Sequence, residues 1–454
     1  MFFYILSFLL FSKVNLAVDK CKCLEHCNKI ASIYELFSIK ERIEKPSRKE
    51  FFQYARNSPI ACIFSKSHIF KLSRDSFEDS LKKELLKVLG CQGSKIRLSA
   101  PTSHYRSYVF AAVIYIDDKP AYFIKLLSNN KFYRRYQRVG DFFKKKEPPI
   151  QEFSAALVGN LYLEKILSSE NVCHFSHIGL FNEPGDDGCW VLMPYIPGFP
   201  VSSMLIQNHT KTEQALLALG KILGTLHAKT QNFYTESESC LTVKNFYEAR
   251  VEMYRKNAQQ VIKKESQEQQ KIFQRIIADL NTYQKKDTST PFYSTCHGDA
   301  NLDNFIYSPD SDQIKIIDNN WLPLNTHLSV KILPSTEKQQ EIIGCGEIAF
   351  DFAKIIVSLL RDTPADNEEK RAKRILKNLV HFFKGYSQFI SPKYISAMYE
   401  RTNFFVESVL LKKLLLHREP KQQVCYQMCA KIYFDIQEKV KTLMTHLKEK
   451  AQES

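Results

Sequence analysis

Apolar positions run almost unbroken from Phe2 to Phe11, a stretch too short to cross a bilayer and of the length of a signal-peptide core. No Lys or Arg precedes it, and Asn15-Leu16-Ala17 is a poor small-residue cleavage site, so a buried or interfacial N-terminal segment competes with export. Residues 21–94 mix helical patterns without a motif and read as an N-terminal extension. From Lys95 the pattern becomes that of strands: Lys95 to Ala100, Tyr105 to Ile116 and Ala121 to Leu127, parted by turns at Pro101-Thr102-Ser103-His104 and Asp117-Asp118-Lys119-Pro120. Gln151 to Ser168 has helical character. Trp190-Val191-Leu192-Met193 is an apolar strand running into Pro194, Pro197 and Gly198, which marks a reversal or linker.

Lys211 to Lys229 carries the clearest helical stripe, with Ala215, Leu216, Leu219, Ile222, Leu223 and Leu226 at spacings of one, three and four. Further on, Pro291 to Cys296 predicts a strand that delivers the polar loop His297-Gly298-Asp299-Ala300-Asn301-Leu302-Asp303-Asn304. Phe305 to Tyr307 leaves that loop as a short strand. The turn Ser308-Pro309-Asp310-Ser311-Asp312 then sends the chain back through Gln313 to Ile317, ahead of Asp318. Beyond Asp362 the patterns are long, amphipathic and helical.

Composition narrows this little. At 454 residues the chain can bury a large core in two lobes or domains, and 44% hydrophobic with 25% charged residues is ordinary for a globular protein. A net charge of +15 points to an anionic partner: a nucleotide, a phosphorylated substrate, an acidic protein or a membrane surface. Lys131, Arg134, Arg135, Arg138, Lys144, Lys145 and Lys146 concentrate that charge, although a solvated loop would do so too. No sequence-specific nucleic-acid binding is expected. The 12 cysteines do not form a disulfide framework, and Cys21, Cys23, Cys27 and His26 lack the second Cys-x-x-Cys pair of a zinc site.

The hairpin after residue 291 carries the chemistry. It would gather Asp299, Asn304 and Asp318 at one end. Phosphoryl transfer needs a carboxylate to orient an attacking hydroxyl and hard oxygen ligands for the Mg²⁺ that bridges nucleotide phosphates. Asp299 suits the first task, and Asn304 with Asp318 the second.

The order His-Gly-Asp-x-x-x-x-Asn, then an apolar strand ending in Asp, resembles the aminoglycoside phosphotransferase and choline kinase family of the protein-kinase-like fold. The resemblance spans about Lys95 to Leu360. It implies an α+β, bilobal protein-kinase-like fold: a small antiparallel-sheet lobe over 95–194, a larger mostly helical lobe over 195–454, and a helical C-terminal region. It implies ATP and Mg²⁺ as cofactors, Asp299 as catalytic base, and Asn304 and Asp318 as metal ligands. Lys125, on the third strand, would hold the α and β phosphates, paired with Glu152 in preference to Glu164. No Gly-x-Gly-x-x-Gly precedes Lys125, so Thr102 and Ser103 would offer donors to phosphate. The stretch Met193 to Gly198 resembles the family's lobe connector, where adenine bonds to backbone, and Met193 and Tyr195 are assigned to it. Leu226-His227 resembles the end of the family's core helix, with His227 structural. Asp351 reads as a helix cap or an anchor for the loop.

Two functions stay in view. One is an ATP-dependent phosphotransferase acting on a hydroxyl of a small-molecule or protein acceptor, placed in the cytoplasm by its need for ATP. The other is a catalytically inactive scaffold that holds an anionic partner on its basic surface. The acceptor is open, because Asp303 and scattered glutamates do not make the acidic cluster that cationic acceptors favour.

Overall fold

The structure is a computed structural model that describes residues 82–99, 110–128, 163–173, 177–183, 186–231, 238–285, 292–318, 345–416 and 419–450, except 84, 87, 88, 164, 165 and 169. Thr102, Ser103, Glu152, Glu164, the basic run Lys131 to Lys146, Phe2 to Phe11 and the Cys21 cluster lie outside the described residues. The chain divides into two compact units, Met1–Leu161 with Cys173–Ile196, and Tyr162–Val172 with Pro197–Ser454.

The first unit is built on β1 (Ile96–Leu98), β2 (Phe110–Ile116), β3 (Lys119–Ser128), β4 (His177–Glu183) and β5 (Asp186–Pro194). They form one antiparallel sheet in the order β1-β2-β3-β5-β4, which leaves β3 with a neighbour on either edge. Ala111, Ala112, Ile114, Ile124 and Leu192 are buried in it. The turn between β2 and β3 is tighter than the sequence suggests. Asp117 and Asp118 both have positive φ, 48° and 62°, as a two-residue hairpin of matching twist requires. Lys119 and Pro120 therefore belong to β3, opposite Ile116 and Tyr115.

The second unit begins with β6 (Phe199–Pro200), α1 (Val201–Ile206), α2 (Thr212–Gln231), α3 (Glu238–Val261) and α4 (Gln267–Lys285). Next come β7 (Tyr293–Thr295), β8 (Phe305–Ser308), β9 (Gln313–Ile316) and β10 (Cys345–Glu347). The unit ends in α5 (Ile348–Asp362), α6 (Glu368–Tyr386), α7 (Pro392–Ala397), α8 (Tyr399–Leu416) and α9 (Pro420–Lys450). The α+β class read from the sequence is the one observed.

All six residues of the α2 stripe are buried. Helix α5 is buried nearly all round, including Asp351 and Lys354, so it is a core helix rather than a surface one. At the start of α5, Glu347 takes a two-pronged ion pair from Arg401 of α8, with Nε donating to Oε2 at 2.8 Å and the Arg401 terminal nitrogen donating to Oε1. Residues 162–172 join this unit because Asn171 and Val172 extend the β8–β9 hairpin. Val172 bridges Ile316 in parallel, Asn171 O accepts from Ile316 N at 2.8 Å, and Asn171 Nδ2 donates to Ile314 O at 3.2 Å.

Candidate active site

Strand register brings the loop and the hairpin end together. Phe305 faces Ile316 and Tyr307 faces Ile314 across β8 and β9, so the residues just outside the ladder, Asn304 and Ile317, are neighbours. Ile317 N donates to Asn304 O at 2.9 Å, and Asn304 Nδ2 donates to Asp299 O at 2.8 Å. Asp299 thus stands two hydrogen bonds from the residue preceding Asp318. Because Asn304 spends its Nδ2 inward, its Oδ1 remains as an acceptor, a hard oxygen of the kind Mg²⁺ takes. Asp318 sits at φ 52°, a left-handed turn at the strand end that Asp tolerates better than most residues.

His297 locks this arrangement from beneath. Its Nδ1 accepts from Asp299 N at 3.2 Å, so Nε2 carries the hydrogen that goes to Ile317 O at 3.0 Å. Burial lowers the pKa of His297, and the ring is held neutral in that tautomer. Gly298, at φ 79°, takes a backbone shape that a side chain would strain. The two successive N–H groups of His297 and Gly298 point at Asp351, whose Oδ2 and Oδ1 accept them at 2.7 Å and 3.0 Å. Asp351 therefore anchors the loop to α5.

Asp299 is met by groups the sequence did not reveal. Lys354 Nζ lies 2.8 Å from Asp299 Oδ1, and Asn301 Nδ2 lies 2.7 Å from the same oxygen. Burial works to raise the Asp299 carboxyl, but the Lys354 ammonium outweighs it and holds the group well below the usual carboxylate range. Asp303, considered above for an acceptor, is already engaged: Ser202 donates to its Oδ1, and Arg361 Nη2 donates to its Oδ2 at 2.8 Å.

His227, Cys296 and Asp351 have donor atoms within 4.8 Å of one another, a metal-like grouping among the described residues. The partners argue for packing. Both Asp351 oxygens serve the loop, His227 Nδ1 meets the Tyr386 hydroxyl at 2.8 Å, and burial pushes the Cys296 thiol up, away from the thiolate a metal binds.

In the first unit, Lys125 is buried on β3 between Ala111 of β2 and Val191 of β5. Tyr195 N donates to Ala121 O at 2.9 Å. Residues two apart on a strand share an edge, so Met193 also turns its backbone groups to β3, opposite Phe123. Pro194 O is directed to the other edge, between Met193 and Tyr195. Strand pairing with β4 stops at Leu192, leaving that edge without a partner among the described residues.

A β-sheet unit and a helical unit with an Asp–Asn–Asp hairpin are the class of structure the resemblance anticipated. Residues 126–318 match the family model described as "Phosphotransferase enzyme family". No curated protein matches the chain. Among solved structures it is similar to Plasmodium vivax ethanolamine kinase, with 14% identity over 86% of this chain and 95% of that one and a TM-score of 0.43. A microcompartment-associated aminopropanol kinase gives 13% identity over 78% and 94%, at 0.43. A glucosamine kinase gives 11% identity over 81% and 87%, at 0.46.

Proposed function

We propose that the chain is an ATP-dependent phosphotransferase that moves the γ-phosphoryl group to a hydroxyl of a small-molecule or protein acceptor. The observation that carries this reading is the bonded circuit Asp299–Asn304–Ile317–His297, which ties the loop that bears Asp299 and Asn304 to the strand end that precedes Asp318. Asp299 orients the acceptor hydroxyl. The hydroxyl oxygen forms a bond to the γ-phosphorus as the bond to the bridging β–γ oxygen breaks, ADP leaves, and the hydroxyl proton passes to Asp299. Asn304 Oδ1 and the Asp318 carboxylate would hold Mg²⁺, which supplies charge neutralisation on the β and γ phosphates when bound.

Lys125 takes the α and β phosphates, with Glu152, Thr102 and Ser103 in the supporting parts assigned to them above. Its place on β3, with β2 and β5 on either side, supports this. Pro194 O offers an acceptor to an adenine edge, beside Met193 and Tyr195.

The test is Asp299→Asn. General-base positioning is worth roughly 10²- to 10⁴-fold, so release of ADP from Mg-ATP should fall by that factor. The thermal shift produced by ATP, which scales as RT ln(1 + [L]/Kd), should be kept. Equal turnover in the variant would remove Asp299 from the role. No stabilisation of the wild type by millimolar Mg-ATP would favour the inactive scaffold.

A further inference from the structure

Lys354 lies three residues beyond Asp351 on α5, so both face the loop from the same side of the helix. Its side chain is buried, with the ammonium 5.5 Å from the centre of the Phe350 ring and 2.8 Å from Asp299 Oδ1. Asn301 Nδ2 adds a second donor to that same oxygen at 2.7 Å. No donor among the described residues meets Asp299 Oδ2. Two donors converge on one carboxylate oxygen and the other is left over.

We propose that Lys354 is a positioning residue that, with Asn301, pins Oδ1 of Asp299 and so makes Oδ2 the one oxygen that receives the acceptor's hydroxyl. The inference rests on the phosphotransferase reading and adds to it which atom acts and what aims it. A carboxylate on a free side chain rotates about its last bond in a broad well. One oxygen tied to a buried ammonium and an amide fixes the plane, and with it the direction of the remaining lone pairs. Reacting groups must meet within a few tenths of an ångström, and misplacement by about 1 Å costs on the order of 10²-fold. Lysine suits this place better than a neutral donor, because an ion pair survives burial when both charges are hydrogen-bonded.

The test uses the full chain with Mg-ATP and water as acceptor, following ADP release. Lys354→Met should lower kcat by about 10²-fold while KM for ATP changes less than about threefold. Lys354→Arg, which keeps a charged donor, should recover at least about tenfold of that loss. Because the lysine acts through Asp299, Lys354→Met placed on Asp299→Asn should cost little more than Asp299→Asn alone. Wild-type turnover in Lys354→Met, faster turnover, or losses that multiply in full in the double variant would each overturn the proposal. If Lys354→Met does not fold, Asn301→Ala removes the second donor to Oδ1 and should lower kcat by about tenfold at unchanged KM; an unchanged kcat there overturns it. A wild type that turns over no ATP ends the phosphotransferase reading and this one together, whereas an active wild type indifferent to Lys354 ends this one alone.

Discussion

Asp351 reacts with nothing, yet it sets the shape of the loop from which Asp299 projects. Its two oxygens each take one backbone hydrogen, from His297 and Gly298, deep in the protein. Asp351→Asn keeps the size but turns one oxygen into a second donor, aimed at an N–H. Hydrogen bonds to a charged acceptor are worth about 1.5–3 kcal/mol, so the variant should unfold at a temperature lower by several degrees and turn over ATP at least about tenfold more slowly. Thermal unfolding and ADP release measure the two effects, and an unchanged melting temperature would show that the loop does not depend on this anchor. At this scale the sequence disclosed the residues whose spacing is local. Asp299, Asn304 and Asp318 lie on one hairpin, and Asp351 stands at a recognisable helix start. Lys354 was hidden because its partner is 55 positions away and no local pattern separates a buried lysine from one on a wet helix face.

Helices show the same division between local and distant information. The spacing of Ala215 to Leu226 gives α2 and the face it buries. It does not say that α2 lies against α6, nor how close. Two glycines settle the approach: a Cβ on Gly220 would stand 2.0 Å from Phe382 O, and one on Gly385 2.1 Å from Leu217 O. Backbone meets backbone there, and neither side can yield as a side-chain tip would. Gly220→Ala gains about 0.5–1 kcal/mol of helix propensity in isolation, but overpacking a rigid contact costs typically 1–3 kcal/mol or more. The net effect should be a lower denaturant midpoint at nearly unchanged slope; a raised midpoint would mean the two helices are free to separate. Strands of two or three residues were harder to read. β10 is three residues long, and its partner β7 is remote in sequence. The edge that each backbone group of the connector faces was hidden for a related reason, since it depends on the neighbouring strand and not on side chains.

Charge is distributed unevenly through the molecule as a whole. The surplus of +15 gives no hint that, among the described residues, a glutamate is enclosed with no hydrogen-bond partner for its carboxyl group. Glu407 on α8 is completely buried, and neither of its oxygens has a hydrogen-bond partner among the described residues. Burial, with Asp279 adding to it against the opposing pull of Arg275, pushes its pKa up to about 9. The folded protein therefore keeps a proton on Glu407 that the unfolded chain gives up above its ordinary value of 4.5. Since the folded state binds more protons between those limits, stability is fully present below pH 4.5 and declines as pH rises towards about 9. One such group changes the unfolding free energy by at most about 1.4 kcal/mol per pH unit. Glu407→Gln has nothing to titrate, so its stability should exceed that of the wild type by a margin that widens from pH 5 to pH 9. Denaturant unfolding of the pair across that range reads the margin directly, and cancels the titration of every histidine and carboxylate the two proteins share. A constant difference would mean that Glu407 is ionised in the fold and has found a cation.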